Sequence, residues 1–188
     1  MTVRHEVKGQ LAKLLATEDL IVESKKVETA CFNVHTRVLT LPMWDKASNN
    51  VYDALVGHEV GHALFTPDSN WFEEIDIPMG IVNVVEDARI EKMMKRKYAG
   101  LSKTFYSGYH ELSDSDFFKI QGKNLNTFNF ADRVNLYRLV TTMIFPSRMI
   151  VRRNYFLWLV LQKHLKMCLM FLNYLSLIHI SEPTRQAS

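Results

Sequence analysis

An α+β fold is expected for this chain, with helices packed on a small β-hairpin or sheet. Two features carry that expectation: stretches in which apolar residues recur at helical spacing, and one intervening segment rich in Val, Thr and Phe. Residues 5–16 place Val7, Leu11, Leu14 and Leu15 at the spacing of an amphipathic helix, which we read as scaffold. Residues 28–41, ETACFNVHTRVLTL, read as two short strands joined by a tight turn at His35-Thr36, with Pro42 ending the second. Ser48, Asn49 and Asn50 then offer N-caps for a helix over residues 51–65, stopped by Thr66-Pro67. A loop with acids and Gly80 leads to a second helix over residues 81–98, ended by Ala99-Gly100. Its basic last turn, Lys95, Arg96 and Lys97, complements the helix dipole. Residues 101–137 mix aromatics with Ser, Asp and Asn and read as short helices and loops. The sequence has no internal repeat, Gly-rich phosphate loop, zinc ribbon or nucleic-acid motif.

Composition bounds the class. The 188 residues are 47% apolar and 23% charged, with net charge +3, which suits one soluble globular domain with a sizeable core. Two cysteines, Cys31 and Cys168, cannot build a disulfide framework, and MTVRHEVKGQ lacks the apolar stretch of a secretory signal, so a cytoplasmic setting is expected. Mild basicity would ordinarily suggest nucleic acid or an anionic membrane, but its distribution removes that argument. Residues 1–137 hold 16 Lys and Arg against 19 Asp and Glu, net −3, whereas residues 138–188 hold 7 basic residues and one acid, Glu182, net +6. Residues 155–180 are broken by Gln162, Lys163, His164 and Lys166, which leaves no apolar run of transmembrane length and no two clean faces for an interfacial helix.

No Asp or Glu lies between Arg133 and Ser181. Residues 175–185, LSLIHISEPTR, look like the translation of a transposase end and adapter of the kind used in sequencing libraries. Just before them, one restored base, in codons chosen among synonyms, turns YRLVTTMIFPSRM (residues 137–149) into YKVGNYNDIPFKND. The same shift carried through residue 174 regains acids and a helix-like apolar period, as in TLEDVFDVL. We therefore expect a single-base deletion near Arg138, with residues 138–174 out of frame, residues 175–188 adapter-derived, and function carried by an incomplete domain over residues 1–137. Source DNA with an intact frame through codon 138 and no adapter match after codon 174 would remove this expectation.

The segment Gly57-His58-Glu59-Val60-Gly61-His62 holds HExxH in the middle of the first long predicted helix. Residues four apart share a helical face, so the two imidazoles can converge on one ion, with Glu59 beside the remaining coordination position. Neutral imidazoles bind Zn²⁺ at about 2.0–2.1 Å, and a hydrolytic site keeps one position for water. Glu59 is the expected general base, accepting the proton of that water as it attacks a polarised carbonyl. A third ligand is needed, and Pro67 and Asp68 come where the HExxHxxGxxH pattern would run. The candidates are therefore on the second helix, VVEDARIE (residues 84–91).

Glu86 follows His62 by 24 positions, as in zinc peptidases whose third ligand is a glutamate on a neighbouring helix. The expected roles are Glu86 as ligand, Asp87 as a hydrogen-bond acceptor to a histidine, and Arg89 with Glu91 as an ion pair; Glu91 is the alternative third ligand. Gly57 and Gly61, at a cost of about 1 kcal/mol each inside a helix, suit close approach by a neighbouring helix or by substrate. An exposed hairpin edge beside the site can take an extended peptide by strand addition. For an oxyanion the chain offers Tyr106, Tyr109 and His110, and spacing selects none of them. Cys31 reads as a buried small hydrophobe, and Met93 and Met94 read as core.

These motifs together resemble a known family. The run LLATEDLIVESKKVETACFNVHTRVLTLPMWDKASNNVYDALVGHEVGHALFTP, then VNVVEDARIEKMMKRKYAGL and NFADRVNLY, is similar to the N-terminal region of tailed-phage proteins labelled as peptidases or as CobT-type cobaltochelatase subunits. The likeness covers about residues 10–137, and the restored-frame peptides resemble that family's continuation. It implies a zincin-like metal-binding domain with His58, His62 and Glu86 as ligands and Glu59 as base, within a longer protein ending in a von Willebrand factor A-type domain. It also implies one of two activities: a zinc peptidase acting on peptide or protein substrates in the host cytoplasm, or a metal-binding scaffold that works with an ATPase partner. A nucleic-acid role fits poorly, because residues 1–137 are net acidic and lack a basic stripe.

Overall fold

The computed structural model describes residues 5–45, 47–69 and 78–144. The chain divides into two compact units, Met1–Arg148 and Met149–Ser188, and every described residue belongs to the first. The expected adapter-derived residues 175–188, and residues 145–174 of the segment read as out of frame, lie outside the described residues.

Helix α1 spans His5–Ala16, as the apolar spacing predicts. Its buried side differs from the expected one. Ala12 and Ala16 are fully packed, Leu11 and Leu15 only partly, while Val7 and Leu14 are exposed. The small alanines let α1 lie close to the next helix, and on the same face the buried Lys8 ammonium meets Asp53 at 2.6 Å.

Strand β1 (Ile21–Lys25) follows, then β2 (Cys31–Asn33) and β3 (Val38–Pro42), in the sheet order β1-β3-β2. The expected hairpin is β2–β3, antiparallel, with Cys31 opposite Thr40 and Asn33 opposite Val38. Asn33 builds the turn: its side-chain oxygen accepts from the N–H groups of His35 and Thr36 at 3.0 and 2.9 Å. Arg37 closes it in the left-handed region, φ 58°, and its guanidinium donates to the Ala63 carbonyl at 2.8 Å. Sequence reading missed β1, which pairs parallel with β3 from Ile21–Val38 to Lys25–Pro42. Cys31 is exposed on the edge strand rather than buried, because β2 has a neighbour on one side only. Leu39 and Leu41 of the central strand are fully buried.

Helix α2 covers Asn49–Phe65, capped by Ser48, whose hydroxyl accepts from the Val51 N–H at 3.2 Å. Helix α3 covers Met79–Lys97 and packs across α2 at Gly61, where an added Cβ would sit 3.1 Å from both Ile90 Cδ1 and Met94 Cγ. Close helix packing therefore accounts for Gly61. Of the two methionines read as core, Met94 is fully buried.

Beyond Gly100 the expectation of short helices and loops is corrected. Helix α4 runs 14 residues, Leu101–Asp114, burying Leu101, Phe105, Gly108, Tyr109 and Leu112 along one face. Gly108 allows α4 to approach α2, since a Cβ there would lie 2.5 Å from that of Ala54. A 3₁₀ turn, Leu125–Thr127, leads to α5 (Phe130–Ile144), which continues through residue 137 without a break.

Candidate metal centre

His58 and His62 lie one turn apart on α2, their ring centroids 5.1 Å apart and nearly perpendicular. Opposite them, on α3, the Asp87 carboxylate Oδ1 is 3.5 Å from His58 Nε2 and 3.4 Å from His62 Nε2. Ligands held about 2.0–2.1 Å from a tetrahedral zinc are about 3.3–3.4 Å from one another, so both separations fit two edges of such a site. Among the described residues, His58, His62 and Asp87 are the group whose donor atoms converge, all within 4.8 Å.

The other face of each imidazole is held. His58 Nδ1–H donates to Glu91 Oε1 at 3.1 Å. His62 Nδ1 lies 2.9 Å from Thr66 Oγ1, and that hydroxyl gives its proton to Glu86 Oε1 at 2.6 Å. Because the single hydroxyl hydrogen is committed to Glu86, His62 Nδ1 must be the donor to Thr66. Both rings therefore carry hydrogen on Nδ1 and turn Nε2 toward Asp87. This is the orientation a metal-binding histidine needs.

Glu86 itself is turned away from the cluster. Its carboxylate takes a two-pronged guanidinium pair from Arg89, at 2.7 and 2.6 Å, and Arg89 also donates to the Phe65 carbonyl at 2.6 Å. The expected places of Glu86 and Asp87 are thus exchanged: Asp87 faces the histidines, and Glu86 reaches one of them through Thr66. The expected Arg89–Glu91 pair is corrected as well. Glu91 instead accepts from Arg138 Nη1 at 2.6 Å and from the Tyr109 hydroxyl, with Lys95 at 3.4 Å from its second oxygen. Its nearest ring atom is His58 Nδ1, the nitrogen facing away from the convergence point, so Glu91 holds the His58 ring from behind where the alternative reading made it a ligand.

Charge explains why this cluster suits a cation. Arg89 covers Glu86 and Arg138 covers Glu91, leaving Asp87 and Glu59 to face two imidazoles. Burial alone would lower the His58 pKa, but its hydrogen bonds to Asp87 and Glu91, with the charge of Glu59 behind them, push it up to about 10. A proton is held where the carboxylates call for positive charge. Burial works against the charged form of Glu91 too, and His58 with Arg138 outweighs it, bringing the group down to about 2. Asp87 likewise stays well below the usual carboxylate range through both histidines.

Glu59 behaves oppositely. Only 7% exposed, its carboxyl is pushed up chiefly by burial and further by the charge of Asp87, against the pull of the two histidines and the Phe32 backbone N–H. That N–H also locates the strand. Phe32 is paired with Leu39 across β2–β3, and an N–H aimed at Glu59 points away from β3, so the outer edge of β2 borders the cluster. A cavity of about 720 Å³ opens there, lined by Phe32, His58, Glu59, His62, Asp87 and Tyr109 among others.

Of the three residues considered for an oxyanion, only Tyr109 reaches this cavity, with burial and the charge of Glu91 keeping its phenol protonated. His110 is exposed and pairs with Asp114, and Tyr106 lies against its ring. Sequence reading missed Thr66, which it used only as a helix stop, although a hydroxyl four residues after His62 falls on the same helical face. Arg138 was passed over because the reading stopped at residue 137.

No protein-family model, curated protein or solved structure matches this chain. No helix among the described residues is long and apolar enough to cross a membrane.

Proposed function

We propose that this chain carries a zincin-like metal site and acts as a zinc-dependent peptidase, in line with the family its motifs resemble. The observation that carries the reading is the convergence of His58 Nε2, His62 Nε2 and Asp87 Oδ1 at tetrahedral-edge separations, with both Nδ1 atoms engaged behind. His58, His62 and Asp87 would hold the ion. When bound, zinc supplies a Lewis acid for a carbonyl and a water that ionises near neutral pH. Glu59 would serve as the base toward such a water; burial raises its pKa, which makes it a stronger base than an exposed carboxylate. An extended peptide would lie along the outer edge of β2 by strand addition, taking the Phe32 N–H over from Glu59, and Tyr109 also lines the cavity, with its hydroxyl held by Glu91.

The test compares zinc content and cleavage of an unfolded protein for the wild-type chain, His58→Ala and Glu59→Gln. Expected are zinc bound by wild type and by Glu59→Gln but not by His58→Ala, with cleavage by wild type alone. Equal zinc in wild type and His58→Ala would overturn the site. Zinc bound stoichiometrically without any cleavage would overturn the peptidase reading and favour a metal-binding scaffold that serves an ATPase partner.

A further inference from the structure

We infer that Thr66 is a positioning residue for His62, itself anchored by the Glu86–Arg89 pair. This rests on the proposed zinc site and adds a part of it that no motif identifies. Thr66 occupies the position just after α2, where its backbone N–H donates to the His62 carbonyl at 3.0 Å. The same residue's side chain accepts from His62 Nδ1 at 2.9 Å and donates to Glu86 at 2.6 Å. One residue thus ends the helix and fixes the ring of a ligand on its last turn.

The chain of bonds has a single sense. Glu86 can only accept, so the hydroxyl donates to it and accepts from the imidazole, which places the Nδ1 hydrogen of His62 on Thr66 and turns Nε2 toward Asp87. Arg89 holds Glu86 with two bonds and the end of α2 with a third, to the Phe65 carbonyl. Glu86 and Arg89 side chains are only 6% and 13% exposed, so the acceptor for Thr66 is fixed in place before any ion arrives.

Loss of the hydroxyl frees the ring to rotate or to change tautomer, and groups that orient a ligand in this way are typically worth about 10–100-fold in metal affinity. The experiment is zinc affinity by chelator competition for wild type, Thr66→Val and Thr66→Ser, with the His62 tautomer read from ring-nitrogen NMR in ion-free wild type at mildly alkaline pH. Thr66→Val keeps size and shape and is expected to lose about 10–100-fold in affinity, while Thr66→Ser, which keeps the hydroxyl, binds as wild type does. The ring-nitrogen spectrum is expected to show Nδ1 protonated. A bare Nδ1 in wild type overturns the inference even if Thr66→Val fails to fold. Equal affinities of wild type and Thr66→Val overturn it while leaving the zinc site intact, whereas failure of wild type itself to bind zinc removes the site.

Discussion

The two histidines are held by different kinds of structure. His62 is held from nearby: Thr66 is four residues away on the same helix, and Glu86 and Arg89 form a pair three residues apart on α3. His58 is held from across the molecule, by a Glu91 carboxylate on which Tyr109 of α4 and Arg138 of α5 also converge. The first arrangement forms once α2 and α3 pack. The second needs α2, α3, α4 and α5 all in place, so His58 reports on the assembly of the whole unit and His62 on one corner of it.

Removing each carboxylate should expose that difference most strongly. Glu91→Ala takes from His58, Tyr109 and the Arg138 guanidinium, 14% exposed, the carboxylate they share, and removing one partner of a buried ion pair typically costs about 3–5 kcal/mol. Arg138 keeps its bonds to Asn135 Oδ1, as Arg89 keeps its bond to the Phe65 carbonyl in Glu86→Ala. But Glu86→Ala releases Thr66 and Arg89 where Glu91→Ala releases His58, Tyr109, Arg138 and Lys95, so the Glu86→Ala loss should be the smaller of the two. Denaturant unfolding of both ion-free variants checks the order. Equal losses would mean that Glu91 is no more central than Glu86.

The pH dependence sharpens the same contrast. The pKa of His58 is raised from an ordinary 6.5 to about 10, so its protonated ring contributes stability that is full below pH 6.5 and lost as pH rises toward 10. The pKa of Glu91 is lowered from 4.5 to about 2, so its contribution is present above pH 4.5 and lost as pH falls toward 2. For this pair the ion-free chain is therefore most stable between those limits. With zinc bound the alkaline loss should vanish, because the ring no longer carries the proton. Binding near pH 7 should then release about one proton from His58, measurable as a buffer-dependent binding enthalpy. A buffer-independent enthalpy would contradict this.

Much of the frame was legible. The bounds of α1, the β2–β3 hairpin, and α2 and α3 to within two residues, with Ser48 one of three cap candidates, follow from periodicity, caps and turn residues, and HExxH locates both histidines. Strand β1 was not legible, because IVESK has no alternation of its own and becomes a strand by pairing with β3. Nor was the choice between Glu86 and Asp87. Neighbouring residues on a helix point about 100° apart, so the choice depends on how α3 is rotated. That rotation is set by packing: Val82, Glu86 and Ile90 are four apart on one buried line, while Asp87 and Glu91 share the line turned toward the histidines. Arg138 stands at the expected frame junction, where the restored frame has lysine. Either residue supplies the cation that Glu91 faces, but only arginine does so with a planar fork.

The smallest expected effect concerns the glycines under each histidine. Gly57 precedes His58 and meets α4, where an added Cβ would lie 3.4 Å from Leu101 Cδ2 and Phe105 Cζ, close to ordinary contact. Gly61 precedes His62 and meets α3 more tightly, at 3.1 Å from Ile90 Cδ1 and Met94 Cγ and 3.3 Å from Ile90 Cβ. Alanine gains up to about 1 kcal/mol in helix propensity at either position. At Gly57 that gain should offset the contact and leave stability nearly unchanged. At Gly61 an added methyl has to move two fully buried side chains, and overpacking of this kind costs about 1–3 kcal/mol. Because Ile90 and Met94 lie on the helix that carries Asp87, Gly61→Ala should also weaken zinc binding, whereas Gly57→Ala should not. Thermal unfolding and zinc titration of the two variants test the pair, and the opposite order would place the tighter helix contact beneath His58.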